Sequence, residues 1–335
     1  MNTLEAELHA LGVSREEVVD GGVSVFDRSR RNVVRRVETL SGHRMSKVFD
    51  PEARVSARRE RSTIQWLRET PDLVNSLPEI LDSGVHEDVV ETGVVAGGRS
   101  LATLGFEVAL GETAGVVGAL LGRLHRCSLE GFDRIAPPAP FCDGWPSAED
   151  LVDRSWATRR VAEIIQGDEA ISHGVEAALS TWTATSVVHG DLRDDNILVN
   201  VTESPGVVVV DWETSGVGDP AWDLGCFLGE RLGAWAAAER RSMAEGANGA
   251  RSATAVAIVQ SDVADFVDGY RGEASLESGL IDRAVAFGAV RLVQRSIEAS
   301  MVSNQLSRGC VLELQAASNI FESPRNARRD LLALG

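Results

Sequence analysis

The sequence predicts an α+β chain in two lobes, a small β-rich N-lobe over residues 1–97 and a larger, mainly helical C-lobe over residues 98–335. Three observations carry that prediction. Short β-branched runs separated by polar links crowd into the first hundred residues. Helix-like apolar spacing dominates from Gly111 onward. Between the two patterns Gly97-Gly98 reads as a flexible strap. At 335 residues the chain is long enough for two lobes and a well-buried core.

The elements follow in order. VSVFD (23–27) and NVVRRVE (32–38) are β-branched runs joined by a short polar link, which reads as a hairpin. LSGH is a turn, and RMSKVFD (44–50) is a third strand. SARRERSTIQWLRE (56–69) has helical spacing and is ended by Pro71. The stretch 77–98, LPEILDSGVHEDVVETGVVAGG, gives two more strands, so the N-lobe is expected to hold five strands and one helix. Helices are then predicted over ETAGVVGALLGRLHRC (112–127), 147–166, 168–183, 221–240, 253–271 and 277–306. Two short strands interrupt them, NILVN (196–200) and VVVVD (207–211), joined by the turn-rich VTESPG.

Composition narrows the function. A net charge of −17 argues against a nucleic-acid partner. No apolar run approaches the ~20 residues that span a bilayer, and the N-terminus lacks the basic start and apolar core of a signal peptide. Cys127, Cys142, Cys226 and Cys310 lie far apart with no C-x-x-C pair, as expected of buried thiols in a reducing cytoplasm. The charge is uneven. Twelve basic and four acidic residues lie between 28 and 68, so the remainder carries about −25. Such a chain can hold an anionic ligand on its basic section and a cationic one elsewhere.

Of 33 lysines and arginines, 32 are arginine; the single lysine is Lys47. Side chains alternate along a strand, so Met45, Lys47 and Phe49 share one face, with Lys47 as its only charge. On the next helix Glu60, Ile64 and Leu67 recur at i, i+4 and i+7, again with one charge on an apolar stripe. A stranded buried charge costs roughly 3–5 kcal/mol, so Lys47 and Glu60 are expected to meet.

SVVHGDLRDDNILVN (186–200) carries the chemistry. A strand ends in His189-Gly190-Asp191, a polar turn follows, and Asn196 opens the next strand. On one tight loop, the carboxylate of Asp191 can accept the proton of an attacking hydroxyl while the carboxamide oxygen of Asn196 coordinates magnesium. A hairpin between 196–200 and 207–211 would bring Asp211 beside Asn196, where its carboxylate can bridge Mg²⁺ and nucleotide phosphates. With six histidines and no cluster among them, a two-metal phosphoesterase is disfavoured.

VVHGDLRDDNILV followed by VVVVDWETSGVGDPAWDLG resembles the aminoglycoside phosphotransferase and choline kinase group, relatives of the protein kinases. The H-G-D-x-x-x-x-N loop, the D-W-E…G-D-P-x-x-D segment, the strand lysine with a helical glutamate thirteen residues later, and LGRLH (121–125) match in order over about residues 20–235. The resemblance implies a protein-kinase-like fold and a kinase that moves the γ-phosphate of ATP, with Mg²⁺, to a hydroxyl, and the acidity outside residues 28–68 suits a small, cationic acceptor. It implies Asp191 as catalytic base, Arg193 beside it at a phosphate-contacting position, and Asn196 with Asp211 as metal ligands. Lys47, oriented by Glu60, would contact the α- and β-phosphates, His189 would support the loop, and Asp223 would bond back to it. Asp219-Pro220 opens a helix as N-cap and first-turn proline. Where relatives place small residues over the phosphates, this chain has RSRRN (28–32), so Arg30, Arg31 and Asn32 are expected to contact the nucleotide. Two alternatives stay open. One is a kinase for Ser/Thr of a ribosomally made peptide, working with a separate lyase and a protein partner. The other is an impaired pseudokinase acting as a binding partner.

Overall fold

The structure, a computed structural model, describes residues 24–27, 33–39, 42–81, 87–106, 109–138, 149, 151–200, 206–244, 249–303 and 305–334. The chain is α+β and divides into two compact units, Met1–Ser100 with Asn196–Ser215, and Leu101–Asp195 with Gly216–Gly335.

The first unit contains a four-stranded antiparallel sheet in the order β1-β2-β3-β4, from β1 Ser24–Asp27, β2 Val33–Thr39, β3 Gly42–Val48 and β4 Val89–Gly93. Its register sets Lys47 between Val34 and Val90. The helix α1, Arg54–Arg68, buries Ala57, Glu60, Thr63, Ile64 and Leu67, a stripe at helical spacing. Phe49, Ala57 and Val90 pack into one core cluster, which ties helix to sheet.

Two expectations for this region change. Of the two strands predicted in 77–98, the described residues form β4 alone; Ile80 makes an isolated bridge to Thr92. Pro78 lacks the N–H that a longer ladder would need there. The strand at the glycine pair, β5 Gly98–Ser100, pairs instead with β7 Ile197–Asn200, which pairs with β8 Gly206–Val209 in a separate three-stranded sheet. Residues 28–32, with Arg30, Arg31 and Asn32, lie outside the described residues.

The second unit is mainly helical: α2 Glu112–His125, α3 Trp156–Gly167, α4 Glu169–Ser180, α5 Pro220–Ala244, α6 Gly249–Glu273, α7 Leu280–Val302 and α8 Arg308–Glu322. Two short strands, β6 Ser186–Val188 and β9 Gly216–Gly218, pair antiparallel at its loop end. The helix predicted over 147–166 begins only at Trp156, because the Ser155 hydroxyl caps it by accepting from the Thr158 N–H at 3.1 Å. The helix predicted over 277–306 runs only from Leu280 to Val302. A further helix, α8, follows it, opened by Ser307, whose hydroxyl accepts from Cys310 N–H. Helix α7 is the core of the unit, with Phe287, Ala289, Val290, Leu292 and Val293 fully buried.

Candidate functional site

The first unit gathers three carboxylates around Lys47. The Nζ atom lies 2.8 Å from Glu60 Oε2 and 2.7 Å from Glu213 Oε2, bonds to Asp211 Oδ1, and stands 4.7 Å from the centre of the Phe49 ring. Strand β3 delivers the lysine and helix α1 the glutamate, so the pairing expected from their apolar faces is present. Burial pulls the Lys47 ammonium down, but Glu60, Asp211 and Glu213 together raise it well above the ordinary lysine value. Burial pushes Glu60 up; the Lys47 charge opposes that shift, and the neighbouring Asp211 reinforces it.

Asp211 reaches the cluster by way of the β7–β8 hairpin. Ile197 pairs with Val209, and the Val210 N–H donates to the Asn196 carbonyl at 2.9 Å, so residues 196 and 211 stand at one end of the hairpin. The backbone then turns into the left-handed region at Asp211, with φ 70° and ψ 59°, rare for a residue with a Cβ. That turn starts the short helix Trp212–Thr214, whose Trp212 is buried and donates to Val209 O. The Ser215 and Thr63 hydroxyls, 2.8 Å apart, fasten this turn to α1. Carboxylate oxygens of Glu60, Asp211 and Glu213 all lie within 4.8 Å of one another. Sequence reasoning did not assign Glu213 a role, although its position two residues past Asp211 in D-W-E was the available signal.

The second unit holds the loop from His189 to Asp195. Its anchor is Asp223, fully buried in the first turn of α5. The carboxylate accepts from the His189 N–H at 2.7 Å and the Gly190 N–H at 3.0 Å, so it bonds back to the loop. His125 Nε2 donates to Asp223 at 3.3 Å, and its Nδ1 accepts from the Tyr270 hydroxyl at 3.1 Å. Burial pushes Asp223 up, and His125 and His189 together more than offset it, leaving the carboxyl below its usual range. Gly190 takes φ 85°, which a glycine adopts at little cost, and Trp222 Nε1 donates to its carbonyl. The Asp191 N–H donates to His189 Nδ1 at 3.2 Å, the supporting contact expected of that histidine. Asp219 caps α5 through the Ala221 N–H at 2.9 Å.

Arg193 turns toward two carboxylates, with Nε 3.5 Å from Asp191 Oδ2 and Nη1 3.1 Å from Glu298 Oε2. Asp194 bonds Arg231 of α5, which lies 3.8 Å from Asp262 of α6. The residues named from sequence thus fall into two groups, Lys47, Glu60, Asn196 and Asp211 in the first unit and Asp191 and Arg193 in the second.

Residues 23–257 match the family described as phosphotransferase enzymes. No curated protein matches this chain in sequence. Among solved structures, a microcompartment-associated aminopropanol kinase is similar at a TM-score of 0.61 and 14% identity, covering 99% of each chain. A choline/ethanolamine kinase family protein from Mesorhizobium loti is similar at 0.55 and 19% identity, covering 100% of this chain and 99% of the other. An ethanolamine kinase from Plasmodium vivax is similar at 0.55 and 13% identity, covering 94% and 86%. These likenesses are of fold.

Proposed function

The chain belongs to the phosphotransferase enzyme family, and we propose that it moves the γ-phosphoryl group of ATP to the hydroxyl of a small, cationic amino alcohol. The observation that carries this reading is the cage around Lys47. Lys47 draws the Glu60, Asp211 and Glu213 carboxylates together at one point of the first unit. The oxygen donors gathered there, the Asp211 and Glu213 carboxylates, suit a hard divalent ion such as Mg²⁺. Bound there by Asp211 and Asn196, Mg²⁺ would supply neutralisation of phosphate charge.

The chain's own residues perform the rest. Lys47, oriented by Glu60, directs its ammonium to the α- and β-phosphates. Asp191 takes the acceptor's proton as the hydroxyl oxygen attacks the γ-phosphorus; the bond to the β,γ-bridging oxygen breaks and ADP departs. Asp223 holds the loop that presents Asp191. Residues 1–97 supply most of the nucleotide contacts and 98–335 the acceptor contacts. The acceptor class rests on the strong acidity outside residues 28–68 and on the aminopropanol and ethanolamine kinases of similar fold. Cys127, Cys226 and Cys310 are free thiols, as suits a reducing cytoplasm.

The test is ADP release from Mg·ATP with 1-amino-2-propanol, ethanolamine, choline and a panel of aminoglycosides and serine peptides. We expect acceptor-dependent release with an amino alcohol, and a loss of roughly 10²–10⁴ in rate for Asp191→Asn. Tight Mg·ATP binding with no release on any acceptor would replace this reading with that of a binding partner.

A further inference from the structure

A chain of alternating charges runs through the helices of the second unit and ends on the Asp191 loop. Glu313 of α8 accepts from Arg295 Nε at 3.2 Å, and Arg295 also bonds Glu230 of α5. Glu230 accepts from Arg291 Nε at 3.0 Å; Arg291 in turn donates to both carboxylate oxygens of Glu298, at 3.0 and 3.4 Å. Glu298 accepts from Arg193 at 3.1 Å, and Arg193 stands 3.5 Å from Asp191. Glu230 and Arg291 are buried, whereas the Glu298 side chain is 44% exposed at the loop end.

Such a network is costly. Burying each ion carries a penalty of several kcal/mol, and well-packed apolar side chains usually hold helices together as well. Helices α5 and α7 approach closely beside it, since a Cβ on Gly229 of α5 would stand 2.7 Å from Arg291 Cβ. Burial pushes Glu298 up, but Arg291 and Arg193 together more than offset it and hold the carboxyl below its usual range. What the network delivers is one fixed carboxylate facing Arg193. Without it, Asp191 is the one carboxylate among the described residues left within 4 Å of that guanidinium, which would draw it into a closed ion pair.

We propose that Glu298 is a positioning residue for phosphoryl transfer, holding Arg193 so that Asp191 keeps an oxygen directed at the acceptor, with Arg291 fixing Glu298 in turn. This rests on the reading of Asp191 as the base. The test uses the full-length protein, with water as acceptor in Mg·ATP hydrolysis. Glu298→Gln keeps the shape but drops the charge, and is expected to lower kcat roughly ten- to a hundredfold with KM for Mg·ATP unchanged. In an Arg193→Met background the same change should add no further loss, because Glu298 acts through Arg193. A loss of equal size in both backgrounds, or a change in KM alone, overturns the proposal. Amide hydrogen exchange over 189–195, measured without nucleotide, gives a second readout and should quicken in Glu298→Gln and in Arg291→Met. If the wild type transfers phosphate neither to water nor to any of the acceptors tested above, yet exchange quickens, the positioning stands and the role of Asp191 falls. If exchange is unchanged, the positioning falls.

Discussion

At the scale of single residues, the cage explains why one lysine persists in a chain that otherwise uses arginine. An ammonium offers three donors around one point, and Lys47 meets one carboxylate with each: Glu60, Asp211 and Glu213. A planar guanidinium on the same strand cannot reproduce that convergence. Lys47→Arg is expected to lose most Mg·ATP turnover, about a hundredfold or more, with its thermal midpoint near that of the wild type. Lys47→Ala should instead cost about 3–5 kcal/mol in urea unfolding, because Glu60 is left buried without its cation. A second residue gives a pH signature. Burial raises buried Asp262 from 3.8 to about 6, so the native state binds that proton better than the unfolded chain. The contribution of this one group to stability is therefore present below about pH 4 and lost as pH rises to about 6, by about 3 kcal/mol. Asp262→Asn still accepts the Leu110 N–H and should escape this loss, so its urea midpoint gains on the wild type over that window. A constant difference between the two from pH 4 to 7 would contradict the assignment.

The same scale shows what the sequence can reveal. Lys47 and Glu60 were legible because each is the lone charge on an apolar face, and a buried charge demands a partner. Glu298 and Arg291 were not. On α7 they sit among other charged residues, and periodicity cannot tell a solvated charged face from one packed against Glu230 of a neighbouring helix.

Among elements, glycine spacing decides how closely helices approach. In α5 a Cβ on Gly225 would stand 2.6 Å from Phe287 Cβ and 2.8 Å from the Ala284 carbonyl oxygen of α7. Backbone on a buried helix cannot yield cheaply, so Gly225→Ala should destabilise by about 1–3 kcal/mol despite its better helix propensity. Gly272 of α6 faces open space, and Gly272→Ala should stabilise by about 0.5–1 kcal/mol. Opposite shifts in thermal midpoint for the two variants check the argument. Helical spacing made most helices of the second unit legible, because apolar stripes repeat over several turns. Helix α8 escaped notice, although Cys310, Leu314, Ala317 and Ile320 form its buried stripe, since the loop before it was read as a continuing helix. The strand β5 is three residues long, too short for any periodicity to say which partner it joins.

For the molecule as a whole, charge is the property that the sequence states outright. With −17 overall and a basic section at 28–68, the remainder is acidic enough to raise the local concentration of a cation and lower that of an anion. If the acceptor is cationic, part of its capture is electrostatic and therefore screened by salt, since the Debye length falls from about 30 Å at 0.01 M to about 3 Å at 1 M. Choline and its uncharged isostere 3,3-dimethyl-1-butanol have nearly the same shape and the same hydroxyl, so their ratio of kcat/KM isolates the charge. That ratio should fall several-fold as ionic strength rises from 0.01 to 1 M, while kcat for each acceptor stays level, because screening acts on encounter and not on proton transfer at Asp191. A ratio that is high but indifferent to salt would assign cation recognition to a few close contacts. A ratio near unity at low salt would remove the cationic acceptor from the proposal and leave the hydroxyl transfer standing.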